Sequence, residues 1–202
     1  MIGGVVLAAG GARRFGAPKQ LAPLRDRPLL EHALAVMAAA PLDRLVVVLG
    51  AHAAAIRREV DLHGAEPVLC TEWDRGQSAS LRAGVAALRD AETVVVALGD
   101  QPFLSPRAVD ALIGARRPGA QAVRATYGGF PGHPVLLERS MFSAILALSG
   151  DEGARHLLAG PGVRDVACDG LGRPDDVDTL EQLAAAERSG VPLRPTRPRE
   201  VA

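Results

Sequence analysis

Apolar runs alternate with helical patterns along the chain. Gly3–Ala8 is near-continuously apolar and predicts a buried strand. Leu29–Ala39 carries a helical period, and the β-branched run Leu45–Leu49 predicts a second strand. Ala51–His63 reads as helical and Pro67–Cys70 as a short strand. A helix over Ala79–Leu88 precedes the most strand-like run of all, Thr93–Leu98. Pro106–Ala115 predicts a helix, with Ser105 suited to the N-cap and Pro106 to the first helical position. Ala120–Thr126 and Val135–Leu137 read as strands, followed by helices near Met141–Leu148 and Glu152–Leu158. A late strand over Val163–Ala167 and a helix over Thr179–Glu187 complete the pattern.

Strands alternating with helices of this length imply crossover units and a mostly parallel sheet. Strands apolar on both faces fit a sheet covered on both sides. The expected fold class is therefore α/β, a single three-layer Rossmann-like domain over residues 1–190. Residues 191–202 hold Pro192, Pro195 and Pro198 with three arginines and read as a disordered tail. Internal repeats and domain linkers are absent from the pattern.

Composition narrows the partners. Apolar residues make up 48% of the chain and aromatics only 3%, so aliphatic side chains must fill the core. The formal net charge of +0 argues against nucleic acid, which favours a basic face, but not against a nucleotide. Cys70 and Cys168 form neither a metal knuckle nor a disulfide framework and fit core thiols in a reducing cytoplasm. Without an apolar run near the roughly 20 residues of a span, no membrane association is expected. The first apolar run leads into a glycine loop and reads as a strand rather than a signal peptide. Of 23 basic residues, Lys19 is the only lysine, and it falls in that loop. This suggests a position that needs a compact ammonium rather than a guanidinium fork.

The loop, Leu7-Ala-Ala-Gly-Gly-Ala-Arg-Arg-Phe-Gly-Ala-Pro-Lys19, has the makings of an anion cradle. Small residues let backbone N–H groups approach phosphate oxygens at the carboxyl end of a strand, and Arg14 and Lys19 supply cations. The spacing fits neither the dinucleotide fingerprint nor a Walker A loop. From the glycines alone, an ordinary turn explains the segment equally well. Gly99-Asp100-Gln101-Pro102 places a carboxylate at the tip of the strongest strand, where a hard oxygen suits Mg²⁺. A turn aspartate is the simpler alternative. Asp178, before the last helix, could serve as its N-cap. Gly76-Gln-Ser78-Ala-Ser80-Leu81 starts a helix that either serine could cap. His133, in Gly132-His-Pro134, is by itself as compatible with a structural role. Gly150-Asp151-Glu-Gly-Ala-Arg155 offers a helix start and an arginine, a combination suited to phosphate.

Together these segments, spread over roughly Val5 to Leu183, resemble the MobA-like nucleotidyltransferases, most nearly those similar to molybdopterin cytidylyltransferase. The first segment is similar to the signature Leu-Ala-Ala-Gly-x-Ser-x-Arg-Met-Gly-x-x-Lys: Leu7, Ala8, Ala9, Gly10, Arg14, Gly16 and Lys19 match. Ala12 and Phe15 replace serine and methionine. The tetrad at Asp100 and the 150–155 hexad match their patterns. Asp176-Val-Asp178-Thr179 matches Asp-Ile-Asp-Thr, with Leu180 in place of proline. Pro131 stands where a basic residue is common.

The resemblance implies a GT-A-like nucleotidyltransferase fold that binds Mg²⁺ through Asp100 and Asp178. It implies catalytic roles for Arg14, Lys19 and Asp100. The nucleotide would be held by Leu7, Ala8, Ala9, Gly10, Gly11, Lys19, Gly76, Ser78, Ser80 and Asp100. The acceptor would be held by Gly132, His133, Asp151 and Arg155. The implied reaction moves CMP from CTP to a molybdopterin-type (molybdenum cofactor) phosphate with release of pyrophosphate, and the product would serve a molybdenum hydroxylase. Ala9 goes with CTP, where glycine goes with GTP. Open alternatives are another base or acceptor (sugar phosphate, methylerythritol phosphate, phospholactate), an oxidoreductase, or a non-catalytic accessory protein of a molybdenum hydroxylase.

Overall fold

A computed structural model describes residues 1–12, 14–150 and 154–189. Nine strands are described: β1 (Ile2–Ala8), β2 (Pro23–Leu24), β3 (Arg27–Pro28), β4 (Arg44–Leu49), β5 (Glu66–Leu69), β6 (Thr93–Leu98), β7 (Ala122–Tyr127), β8 (Phe130–Glu138) and β9 (Val163–Ala167). The described α-helices are α1 (Leu29–Ala38), α2 (Ala53–Glu59), α3 (Gln77–Ala87), α4 (Pro106–Gly114), α5 (Phe142–Leu146) and α6 (Leu180–Arg188). Seven strands form one sheet in the order β5-β4-β1-β6-β8-β7-β9. Every pairing is parallel except those of β8, which runs antiparallel to β6 and β7.

Alternation along the strands sorts the core into two layers. Val6, Ala8, Val47, Leu49, Val95 and Ala97 face α1, α2 and α4, through residues such as Leu34, Ile56 and Leu112. Val5, Ala9, Val46, Val48, Val94 and Val96 face α3 and α5, through Leu81, Val85 and Ile145. This is the expected three-layer, single-domain arrangement. A third, smaller cluster (Phe15, Ala22, Leu24, Leu29, Phe103, Val177 and Ala186) sits under the loops at one end. Among the described residues, no helix is long and apolar enough to cross a membrane.

The order of the strands positions the site. From β1 the chain moves outward through β4 to β5, then returns to the other side of β1 with β6. The direction reverses between β1 and β6, and ligands of open α/β sheets bind outside the carboxyl ends at such a switch point. Gly99 closes the gap by donating its N–H to the Leu7 carbonyl at 2.9 Å.

Several boundaries differ from the sequence expectation. The helix expected over Ala51–His63 ends at Glu59, and Val60 is already extended. Strand β8 is three times the length expected from Val135–Leu137, because antiparallel pairing with β7 carries it through Pro131 and Pro134 to Phe130. In place of a helix over Glu152–Leu158, the described part is a turn followed by a 3₁₀ segment, Leu157–Ala159. The short hairpin of β2 and β3 leaves no trace in the apolar pattern. Ser105 does cap α4, accepting from the Arg107 N–H at 3.2 Å. The 191–202 tail lies outside the described residues.

Candidate active site

The glycine loop leaves β1 and Asp100 leaves β6, so the switch point brings the two together although they are far apart in sequence. The loop is pinned from below by Gln20, which is buried at 3% exposure. Its side-chain amide donates to the carbonyls of Ala8 at 3.0 Å and Gly10 at 2.8 Å. These two bonds turn the Ala8 and Gly10 carbonyls toward Gln20. Lys19 itself starts a 3₁₀ turn directly after Pro18.

Lys19 is the hub. Its Nζ donates to Asp100 Oδ2 and to Asp178 Oδ1, both at 2.6 Å. Arg14 reaches the other oxygen of Asp178 at 2.7 Å. Burial works against the Lys19 charge, but the two carboxylates outweigh it and raise its pKa above the ordinary value. For Asp178 burial favours the neutral form, yet Lys19 and Arg14 prevail and hold its pKa below the usual range. Asp100 Oδ1 is buried and has no hydrogen-bond partner. Two adjacent carboxylates, one with an unsatisfied oxygen, form a hard donor set that a divalent cation would satisfy.

A strap carries Asp178 into this position. Gln101, 3% exposed, donates to the Pro174 carbonyl at 3.1 Å and to Asp176 Oδ1 at 2.7 Å. The Val177 N–H binds the Asp100 carbonyl at 3.0 Å, and the Val177 side chain is buried in the third cluster. Burial, reinforced by the charge of Asp100, pushes the Asp176 carboxyl up. The cap of α6 is Thr179, not Asp178. Thr179 and Gln182 form a reciprocal capping box, while the Asp178 N–H donates to the Gln182 side chain at 2.7 Å. The Asp178 carboxylate is thereby left for Lys19 and Arg14.

These groups line a cleft of about 690 Å³. Of the residues expected to bind the nucleotide, Leu7, Ala8, Ala9, Gly10, Gly11, Lys19, Gly76, Ser80 and Asp100 all line it, as do Arg14, expected to be catalytic, and Asp178, expected to bind metal. Gly76 has φ +110° at the start of α3, a conformation that demands glycine. Ser78 is the exception. It is 1% exposed and its hydroxyl donates to the Gly150 carbonyl, and two residues, a little over half a turn of helix, bring Ser80 round to the cleft.

A second chamber, about 590 Å³, lies beside the first, and Leu7 and Gln77 border both. Gly132, His133 and Arg155 line it, as expected of acceptor residues, together with Leu81, Val96, Val135 and Leu137. Asp151 lies outside the described residues. Burial lowers the His133 pKa to about 4 against the pull of the Asp100 charge, so its imidazole is neutral at physiological pH. Sequence reasoning missed Gln20, Gln101 and Trp73, which also lines the first cleft. A glutamine directly after the key lysine, and another directly after the key aspartate, were the available signals.

Comparison with known proteins identifies a MobA-like NTP transferase domain over residues 4–168. The chain is 36% identical over 191 residues to nicotine blue oxidoreductase of Paenarthrobacter nicotinovorans, covering 89% of this chain and 93% of that protein. It is 33% identical over 204 residues to purine catabolism protein PucB of Bacillus subtilis (strain 168), covering 92% and 96%. The crystal structure of Rv0371c from Mycobacterium tuberculosis H37Rv superposes with a TM-score of 0.84 at 37% identity, covering 93% of this chain and 97% of that one. A manganese complex of Rv0371c aligns with a TM-score of 0.80 at 35% identity, covering 93% and 98%.

Proposed function

This chain belongs to the MobA-like NTP transferase family, and we propose that it transfers CMP from CTP to the phosphate of a molybdopterin-type acceptor, releasing pyrophosphate. The observation that carries this reading is the shared contact of Lys19 with Asp100 and Asp178 at the switch point of the sheet, beside a second, less polar chamber.

The chemistry needs little from the protein beyond placement and charge. A phosphate monoester is already ionised near pH 7, so no general base is required. An acceptor phosphate oxygen attacks the α-phosphorus in line, forming a new P–O bond. The bond from the α-phosphorus to its bridging oxygen breaks, and that oxygen keeps the electron pair as pyrophosphate leaves. Lys19 and Arg14 neutralise the triphosphate and the departing pyrophosphate, and the loop N–H groups hold its oxygens. Asp100 and Asp178 suit Mg²⁺, which prefers one or two carboxylates together with substrate phosphates. When bound, the ion would supply positive charge at the α-phosphate. The manganese complex of Rv0371c supports a divalent cation here. His133 and Arg155 hold the acceptor in the second chamber, with the neutral imidazole acting as a hydrogen-bonding group and Arg155 meeting phosphate.

The test is pyrophosphate release by purified protein with Mg²⁺, CTP and a molybdopterin-type acceptor, preceded by thermal melting with each of the four triphosphates. A ligand at 100 times its dissociation constant stabilises by about 2.7 kcal/mol. Stabilisation by CTP followed by pyrophosphate release is the expected result. Binding without release would replace transfer with an accessory role toward a molybdenum hydroxylase. The base assignment rests on Ala9, which is 3% exposed and lines the cleft. Ala9→Gly is expected to shift preference from CTP toward GTP, read from the ratio of their kcat/KM values; an unchanged ratio would refute it. A second reading is favoured by the 36% identity to nicotine blue oxidoreductase. Substrate-dependent redox turnover, without pyrophosphate release, would establish that reading instead.

A further inference from the structure

Resting on the nucleotide-binding reading above, we propose that Trp73 forms the base-recognising wall of the cleft and stacks against the nucleobase. Trp73 is the only tryptophan in the chain and the only aromatic side chain among the described residues lining this cleft. It sits in a 3₁₀ turn, Trp73–Arg75, between β5 and α3. Glu72 braces that turn, accepting from Arg75 at 2.5 Å and Arg82 at 3.1 Å.

The indole is seated on two glycines. A Cβ at Gly50 would stand 2.7 Å from Trp73 Cβ and Cγ, and 2.4 Å from the Ala9 carbonyl oxygen. A Cβ at Gly11 would stand 3.0 Å from Cζ3 and 3.2 Å from Cη2 of the ring. Glycine at both positions lets the ring lie directly against the phosphate-cradling loop and beside Ala9. The ring is only half-buried there, so part of it faces the cleft.

A nucleoside triphosphate has two unlike ends. The cluster of Lys19, Arg14, Asp100 and Asp178 is charged and suits the polyphosphate with its cation. A nucleobase is flat, uncharged and π-rich. Trp73 gives it an aromatic face on a braced support, within the same cleft as the backbone of Ala9–Gly11. Stacking alone accepts any base, so Trp73 supplies affinity while the neighbouring loop discriminates.

The test exploits the single tryptophan. In wild-type protein with Mg²⁺, CTP is expected to quench Trp73 emission, whereas inorganic tripolyphosphate binds without quenching. By calorimetry, Trp73→Leu, which keeps apolar bulk on Gly50, is expected to weaken CTP about tenfold. Its tripolyphosphate affinity stays within about twofold of wild type, and Trp73→Phe recovers most of the loss. Equal quenching by tripolyphosphate, unchanged CTP affinity in Trp73→Leu, or equal loss of both ligands would overturn the role of Trp73 and leave the transferase reading standing. Wild-type protein that binds no nucleoside triphosphate would overturn both.

Discussion

The two chambers meet at Leu7 and Gln77 but are built on different terms. The first lies at the carboxyl ends of parallel strands and is made of loops. Its charges are set against one another before any ligand arrives: Lys19 between Asp100 and Asp178, with Arg14 outside. The second lies over the antiparallel strand β8 and is walled by aliphatic side chains, with a histidine that burial keeps neutral. A chamber of concentrated charge suits polyphosphate and its cation. A largely apolar chamber with Arg124 and Arg155 in its lining suits a flat acceptor with a single phosphate. The contrast teaches that one half of the sheet supplies charge and the other supplies shape.

The sharpest break in this contrast is Asp100→Asn. Removing the charge while keeping the volume is expected to cut turnover by about 10²–10³-fold, with far-UV circular dichroism and melting temperature preserved. Retained activity would remove Asp100 from the site. Next comes Arg155→Ala, expected to raise the acceptor KM about tenfold while nucleotide affinity, measured by calorimetry, stays put. A matching loss of nucleotide affinity would show that the chambers do not divide the substrates as argued.

The pH dependence tests the second chamber directly. An unfolded histidine titrates near 6.5 and His133 in the fold near 4, so the unfolded state binds more protons between those values. The stability associated with neutral His133 is therefore present above pH 6.5 and is lost as pH falls from 6.5 through about 4. His133→Asn should flatten that part of the melting temperature against pH curve relative to wild type. The smallest expected effect belongs to Ser78→Ala, which removes the hydrogen bond to Gly150 at a cost of about 1 kcal/mol. CTP affinity should be unchanged, because Ser78 faces the core. Weaker CTP binding would return Ser78 to the nucleotide cleft.

The charged chamber was far more legible in the sequence than the apolar one. A lone lysine in a glycine loop and an aspartate at the tip of a Val-rich run are local signals, and both reach the cleft through the nearest strand end. The second chamber depends on β8, whose Pro131-Gly132-His133-Pro134 start looks like a loop. Proline lacks the N–H that a strand normally donates, and it is pairing with β7, at Pro131 and Phe130, that keeps this stretch extended. Gln20 and Gln101 are illegible in the sequence for a related reason. A glutamine has no pattern of its own, and its value here comes from carbonyls at Ala8, Gly10 and Pro174 that only the fold puts within reach.

By itself the sequence determined the alternation of strands and helices, the two-sided aliphatic sheet and the family. Each follows from periodicity or from short runs of neighbouring residues. It also marked Lys19, Asp100 and Asp178 as candidates, without the means to join them. The tertiary structure decided that they touch, because the strand order reverses between β1 and β6 and so places the ends of two distant segments side by side. It decided too that Ser80 and not Ser78 faces the cleft, and that Thr179 and not Asp178 caps α6. The first choice depends on which way α3 turns against the sheet, which packing between layers settles, and the second on the reciprocal hydrogen bonds of Thr179 and Gln182.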